Sequence, residues 1–286
     1  MPTRLVIAAL AVVAASPVAH AEIIARIEVN PGDTLGAIAR RFDCTVEAVQ
    51  EQNRLSSTVI RPGQRLAVPV CTKVGRRTAA RRAPVEVVGQ SVGKPWKGKL
   101  RRAARLGEGR GYVIRRPERS YGTRHLVDLV RDVVRSVRVD HPKVHALAIG
   151  DLSVRGGGKI SLHQSHQSGR DVDVGFYFKR RPAGYPDSFV VGTKANLDLA
   201  ATWDLLVAFA RTADDRGGVS AIFLDYDLQG VLYEWAKARG VSAGYLDRLF
   251  QYPEGKGGDG LVRHEPNHDD HFHIRVKCPV GDDGCE

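Results

Sequence analysis

The histidines of this 286-residue chain are concentrated, because six of the ten lie in two short segments that also carry carboxylates. The members are His163, His166, Asp171 and Asp173 in the first segment, and His264, His268, His271 and His273 in the second. Imidazole and carboxylate are common zinc ligands, and a catalytic zinc uses three protein ligands with a fourth position open. Polar residues that only satisfy hydrogen bonds would rarely cluster in this way, so the segments predict a metal centre.

The spacing within both segments is that of β-strands. Residues i and i+2 of a strand share a face, so His271 and His273 can reach one site, and Asp171 and Asp173 likewise share a face. Gly169 permits a turn that carries the preceding histidine back over its strand. Two histidines and a carboxylate from two neighbouring strands would complete a three-ligand site.

The metal that this ligand set predicts is Zn2+. The same ligand types serve iron oxygenases, but those usually show H-x-D near the first ligand. His166 and Asp173 are instead seven residues apart. An exported setting without redox chemistry also favours zinc.

Three other motifs compete as catalytic signatures, and each fails in its context. The segment 240–244 matches G-x-S-x-G but follows a helical pattern, whereas a nucleophile elbow follows a strand. The segment 91–94 matches S-x-x-K but lacks K-T-G, and 156–159 resembles a phosphate loop without the required Ser or Thr. We interpret all three as chance matches.

The first 21 residues have the pattern of a cleaved export signal. Arg4 precedes the apolar run Leu5–Ala15, and Ala19-His20-Ala21 fits a cleavage site. The run is much shorter than the ~20 residues of a membrane span. We therefore predict a signal peptide at 1–21 and a periplasmic product that is not an integral membrane protein.

Export makes the four cysteines informative, because disulfides form in oxidising compartments. Four cysteines allow three connectivities. Pairing Cys44 with Cys71 and Cys278 with Cys285 keeps each bridge inside one folding unit. A cysteine zinc site is the alternative, but the sequence contains no C-x-x-C.

Three sections follow the signal peptide: a small unit at 22–71, a basic segment at 72–96 and a larger domain at 97–286. The small unit has a strand–helix–helix–strand pattern, and the larger domain mixes strands and helices without regular alternation. We predict an α+β fold, with a small βααβ module followed by an α+β domain whose sheet is mostly antiparallel. The basic segment predicts a solvated linker; attraction to a cell-wall or lipid polyanion is the alternative, and export argues against nucleic acid.

The small unit resembles the LysM repeat. The resemblance rests on Val29-x-x-Gly32-Asp33-Thr34-Leu35-x-x-Ile38-Ala39-x-x-Phe42 and on Asn53, Ile60 and Gly63-Gln64-x-Leu66-x-Val68-Pro69. It implies binding of N-acetylglucosamine-containing glycans such as peptidoglycan. The groove would contain Gly32, Asp33, Thr34, Leu35, Asn53 and Ile60. A single copy predicts weak affinity, since multivalency strengthens such modules.

The histidine segments carry a second, specific resemblance. Ser165-His166-Gln167-x-Gly169-x-Asp171-Val172-Asp173 and His268-x-x-His271-x-His273-x-Arg275-x-x-Cys278-Pro279 are similar to the penicillin-insensitive murein endopeptidases. These belong to a broader group with lysostaphin-type and D-Ala-D-Ala metallopeptidases. Further matches are Gly150-Asp151, Gly156-Gly157-Gly158-Lys159 and Arg119-x-Tyr121-Gly122.

The resemblance also implies roles for individual residues. The zinc ligands would be His166, Asp173 and His273, with His163 as an accessory position. His271, assisted by His268, would be the general base, and Cys278 and Cys285 match a disulfide of the family.

Peptidoglycan is therefore the expected partner, bound through its glycan strands by the LysM unit and through its stem peptides at the zinc site. The implied substrate is the cross-link between D-alanine and meso-diaminopimelate, and direct diaminopimelate–diaminopimelate links stay open. Two alternative functions also stay open: a D-Ala-D-Ala carboxypeptidase and a non-catalytic wall-binding protein.

Overall fold

The computed structural model describes residues 24–30, 33–42, 44, 46–55, 58–69, 88–279 and 281–286. The chain divides into two compact units, Met1–Arg81 and Arg82–Glu286. The predicted signal peptide, Gly32, Cys71 and residues 72–87 of the predicted linker lie outside the described residues. Within the described ranges, every helix is too short or too polar to cross a membrane.

The smaller unit is a two-stranded antiparallel sheet with two helices, and it confirms the predicted βααβ module. Its elements are β1 (Ile24–Glu28), α1 (Leu35–Arg41), α2 (Val46–Asn53) and β2 (Arg65–Pro69). The helical spacing of Leu35, Ile38 and Ala39 places all three in the core, where each is less than 5% exposed. Val49 and Leu66 complete the contact between the helices and the sheet.

The larger unit contains ten strands and four helices within its described residues. The strands are β3 (Gln90–Lys94), β4 (Lys97–Arg101), β5 (Ala104–Arg105), β6 (Tyr112–Ile114), β7 (Tyr121–Gly122), β8 (Leu147–Ile149), β9 (Asp171–Gly175), β10 (Val219–Leu224), β11 (Val262–His264) and β12 (His271–Val276). The helices are α3 (Arg124–Asp140), α4 (Leu199–Ala210), α5 (Tyr226–Lys237) and α6 (Ala243–Leu249).

Six of these strands form one sheet in the order β11-β10-β12-β9-β8-β6. The three central pairings are antiparallel, and the two outer pairings, β10 with β11 and β6 with β8, are parallel. Helix α3 buries one apolar stripe that includes Leu126, Val130 and Val134, and α4 packs against it. The predicted α+β class with a mostly antiparallel sheet is confirmed.

The larger unit begins before the predicted boundary at residue 97. Strand β3 lies inside the range 72–96 that was predicted as linker, because its Ser91 is buried and its backbone N–H donates to Asp282 Oδ2 at 2.6 Å. Helix α5 begins at Tyr226, where the Asp225 carboxylate caps it by accepting from the Asp227 N–H. The segment 240–244 follows α5 and runs into the first two residues of α6, so it does not follow a strand as a nucleophile elbow would.

The C-terminal disulfide joins Cys278 and Cys285, as predicted. Cys44 is also disulfide-bonded. Its predicted partner, Cys71, lies outside the described residues, so that pairing stays a prediction.

Candidate metal centre

Strands β9 and β12 form the floor of the site and pair antiparallel near the middle of the sheet. In their register His273 lies opposite Asp173, and Arg275 lies opposite Asp171. Because alternate residues of a strand share a face, His271, His273 and Arg275 form one row beside the two aspartates. The structure thus confirms the predicted strand spacing of both segments.

His166 reaches this floor from the loop before β9. The loop turns at Gly169, whose φ of +73° is a left-handed conformation that glycine adopts without strain. His166 has a φ of +63°, which costs a non-glycine residue about 1–3 kcal/mol and is frequent at functional sites. Its N–H donates to Asp171 Oδ2 and its Nδ1 to Leu152 O, both at 2.8 Å. Nε2 is therefore left facing Asp173, and metal-binding histidines commonly donate their other nitrogen in this way.

Asp173 is the residue on which the histidines converge. Its Oδ1 lies 3.2 Å from His166 Nε2, 3.5 Å from His273 Nδ1 and 3.6 Å from His271 Nε2, and its Oδ2 lies 3.8 Å from His163 Nε2. His163, His166 and Asp173 form a group whose ligand atoms all lie within 4.8 Å of one another. This group contains two of the predicted ligands, His166 and Asp173, and the accessory His163; the third predicted ligand, His273, is not part of it, although its Nδ1 approaches Asp173.

The other two aspartates of the site are neutralised by arginines. The fully buried Asp151 accepts from Arg116 Nε at 2.7 Å and from Arg119 at 2.9 Å. Asp171, also fully buried, accepts from Arg275 Nε at 2.7 Å. Asp173 differs, since among the residues that the structure describes no lysine or arginine lies within ion-pair distance of it. A buried carboxylate needs compensating charge, and here only imidazolium or a metal cation can supply it.

Three buried polar atoms at the centre have no hydrogen-bond partner among the described residues: His166 Nε2, Asp173 Oδ1 and His273 Nε2. The first two are 3.2 Å apart, and His273 Nε2 is 3.2 Å from Asp171 Oδ1, but neither contact has hydrogen-bond geometry. Unsatisfied buried polar atoms are rare and call for a physical reason. The ligand chemistry and these atoms fit a bound divalent metal.

The pKa values at the centre reflect the same competition between burial and charge. For His166 burial opposes the charged form, but the Asp173 and Asp171 carboxylates outweigh it and raise the pKa to about 9. For His273 burial dominates and lowers the pKa to about 4. Burial would raise the pKa of Asp173, but the surrounding histidines hold it well below its usual range.

His271 is held in one orientation by its neighbours. Its Nδ1 donates to Asp270 Oδ1 at 2.5 Å, so that Nε2 faces Asp173. Its ring stacks on Phe189, with centroids 4.7 Å apart and planes 11° apart. The His268 ring centre lies 4.8 Å away, and burial followed by repulsion from His271 lowers the pKa of His268. The arrangement suits a ring that accepts and returns a proton at Nε2.

His163 belongs to this group of possible ligands, but its closest contact is with Asp151. Its Nε2 is 2.8 Å from Asp151 Oδ2, a full ångström closer than it is to Asp173. Burial raises the pKa of Asp151, but the hydrogen bonds with His163 and Arg119 outweigh it and leave the pKa lowered. Asp151 thus stays ionised and fixes the His163 ring.

Some of these functional contacts were not predicted from the sequence. Asp270 directly precedes His271, which was the available signal, but its bond to that ring was not anticipated. Nothing in the sequence pointed to Phe189. His264 was grouped with the second segment, yet its Nδ1 accepts from the Tyr226 N–H at the start of α5.

In the smaller unit, the predicted glycan-binding residues divide into two kinds. Leu35 is 1% exposed, and the Asn53 side chain bonds the backbone of Val49 and Ala67, so both support the fold. Asp33 and Thr34 carry local hydrogen bonds at the start of α1, accepting from Asn30 N and Ala37 N. Ile60 packs on the edge of the core. Their contact with glycan stays a prediction.

Two family models match the chain. The LysM domain matches residues 27–69, and the penicillin-insensitive murein endopeptidase matches residues 91–189. The second match contains His163, His166 and Asp173 and ends before the segment that contains His271 and His273. A comparison with curated proteins gave no significant match.

Proposed function

We propose that this chain, which carries a LysM domain and a segment of the penicillin-insensitive murein endopeptidase family, is a zinc-dependent endopeptidase that hydrolyses peptide cross-links of peptidoglycan. The bond we propose joins D-alanine to meso-diaminopimelate. The observation that carries the proposal is the convergence of four histidines on Asp173, a buried carboxylate with no cationic partner among the described residues.

His166, Asp173 and His273 are the ligands in this proposal, with His163 as an accessory position. They come from two paired strands and the loop before one of them, so the sheet fixes their separation. Zinc bound there would act as a Lewis acid on the scissile carbonyl and would lower the pKa of water. The hydrogen bond from His166 to Leu152 O and the arginine-paired Asp171 hold the first ligand in place.

The proton is handled by His271 in this proposal. Its Nδ1–H is donated to Asp270, which leaves Nε2 able to take a proton from the attacking water. The same nitrogen then returns the proton to the departing amine. His268 lies beside His271; the Nδ1 of His268 donates to Pro266 O at 2.9 Å, which leaves its Nε2 to accept a hydrogen bond.

The LysM domain would hold the enzyme on its insoluble substrate, at glycan strands near the cross-links. That role places the protein in the periplasm after removal of residues 1–21. A weak single module suits an enzyme that must move along the wall, because tight binding would slow release.

Digestion of purified sacculi tests the proposal. Wild-type protein should convert cross-linked muropeptide dimers to monomers, and mass spectrometry should find a new D-alanine carboxyl and a new diaminopimelate amine. Chelated protein and His271→Ala should be inactive. His141→Ala, a control at a histidine that bonds Asp204 on the helical layer, should keep full activity.

The alternatives predict other products in the same experiment. A carboxypeptidase would release terminal D-alanine and leave the dimers intact. A non-catalytic wall-binding protein would bind sacculi and change no muropeptide. Either result would overturn the endopeptidase assignment.

A further inference from the structure

Three arginines surround the larger unit's metal centre at the end of β6 and on β12, and two of them are already paired. Arg116 bonds Asp151, and Arg275 bonds Asp171. Arg115 differs, since no carboxylate within the described residues lies at ion-pair distance from it. Its Nε donates to the Asp187 backbone carbonyl at 3.0 Å, which anchors the side chain and leaves the outer guanidinium nitrogens available.

Aromatic stacking connects Arg115 to the centre. Its Cζ lies 4.1 Å from the Phe189 ring centre, and the same ring stacks on His271 at 4.7 Å. The Phe189 ring also packs against the floor, because a Cβ at Gly150 would lie 2.7 Å from Phe189 Cζ and 3.0 Å from Asp173 Cβ. The guanidinium is therefore held one ring away from the proposed proton-transfer residue.

The charge environment of Arg115 favours an anionic ligand. Partial burial and the neighbouring Arg116 lower the pKa of Arg115. The carboxylates of Asp151, Asp270 and Asp173 act in the opposite sense from a distance, without direct pairing. A carboxylate bound by the outer nitrogens would offset the cost of this desolvation with its negative charge. Guanidinium binds carboxylate in a bidentate geometry that lysine lacks.

We propose that Arg115 recognises a substrate carboxylate carried by the carbon atom that bears the scissile nitrogen. This inference rests on the proposed function. His271 must reach the departing nitrogen to return its proton, so a group near His271 faces the amine side of the bond. In a cross-link, that carbon is the D-centre of diaminopimelate, whose free carboxylate is two bonds from the nitrogen. A terminal D-alanine offers the same carboxylate, so the chemistry alone does not separate the two sources.

The test compares soluble cross-linked muropeptide dimers in two forms, with this diaminopimelate carboxylate free or amidated, and a peptide ending in D-Ala-D-Ala as a third substrate. Wild-type kcat/KM should favour the free carboxylate by roughly 10- to 100-fold, the worth of a charged hydrogen bond. Arg115→Gln should remove that preference by slowing only the free form, and Arg115→Lys should retain part of it. Arg110→Gln, at an exposed arginine before the same strand, should change neither rate.

The outcomes separate the two proposals. Equal losses of Arg115→Gln on both dimers would show a structural role, and equal wild-type rates on both dimers would show no carboxylate recognition; either result overturns this inference alone. Wild-type cleavage of none of the three substrates overturns the endopeptidase function and the inference with it. If the D-Ala-D-Ala peptide is the one substrate cleaved and Arg115→Gln slows it, the carboxylate site stands but its source is the terminal residue.

Discussion

Replacing Asp151 by asparagine should destabilise the larger unit by about 3 kcal/mol. Its fully buried carboxylate accepts from Arg116, Arg119 and His163 at 2.7, 2.9 and 2.8 Å. Removing one partner of a buried pair costs about 3–5 kcal/mol. We take the lower end of that range because the two arginine side chains are 32% and 16% exposed and can regain water.

The matched control is Asp128→Asn, because Asp128 also lies near two arginines but on the surface. Its side chain is 50% exposed, and Arg124 and Arg131 lie 3.9 and 3.5 Å away. Exposed ion pairs contribute about 0–1 kcal/mol to stability. The free energy of unfolding of Asp128→Asn should therefore stay close to that of the wild type. The loss of stability should thus be several-fold larger for Asp151→Asn than for Asp128→Asn, because the first carboxylate is buried and the second is exposed.

Urea unfolding followed by tryptophan fluorescence is the assay, because all three tryptophans, Trp96, Trp203 and Trp235, lie in the larger unit. With an m-value of about 2 kcal/mol/M, the midpoint of Asp151→Asn should fall by about 1.5 M. The Asp151 pKa is lowered by folding, so its contribution is present above the unfolded value of about 3.9 and is lost as pH falls through the folded value. The difference from wild type should therefore shrink below about pH 4. Equal midpoints for wild type and Asp151→Asn at pH 7, or an equal effect of Asp128→Asn, would refute this reasoning.

Three further predictions concern the proposed activity. Asp173→Ala and His273→Ala should lose zinc and hydrolysis together, whereas His271→Ala should keep zinc and lose turnover. Metal analysis and a muropeptide assay of each variant check this. Near-normal rates for His271→Ala would exclude His271 as the base. Deleting residues 22–71 should slow digestion of insoluble sacculi and spare soluble dimers; equal losses on both would make the LysM module structural. Activity should survive penicillin, vanish with a strong chelator and return with zinc, since neither serine motif of the sequence has the context of an activated nucleophile. Time-dependent inactivation by penicillin would revive a serine mechanism.

The parts of the site that could be predicted from the sequence are the strands in which polar and apolar residues alternate. Strand β12 contains the alternating residues His271 and His273, and strand β9 contains Asp171 and Asp173, as their spacing predicted. The turn at Gly169 was also expected, because a left-handed backbone conformation favours glycine and a glycine is visible in the sequence.

The contacts that sequence reasoning missed connect residues far apart in the chain. Asp151 meets Arg116 and Arg119 across 35 and 32 residues, and Phe189 meets His271 across more than twice that distance. The spacing of residues along the chain cannot predict these contacts, because they depend on how β6, β8 and the loops after them pack in the folded protein. The hairpin of β3 and β4 was missed for a different reason: its composition is basic and rich in glycine, which is also typical of a linker.

In the six-stranded sheet, most residues proposed for catalysis lie on central strands, whereas the residue proposed for substrate recognition follows an edge strand. Asp173, His271 and His273 stand on β9 and β12, which are flanked by strands on both sides, whereas Arg115 follows the edge strand β6 and Phe189 lies on a loop. Interior strands tolerate few changes, while edges and loops accept insertion and substitution. If the proposed function holds, the loops and the edge strand could be redesigned for cross-links of other bacterial walls while the two central strands are left unchanged.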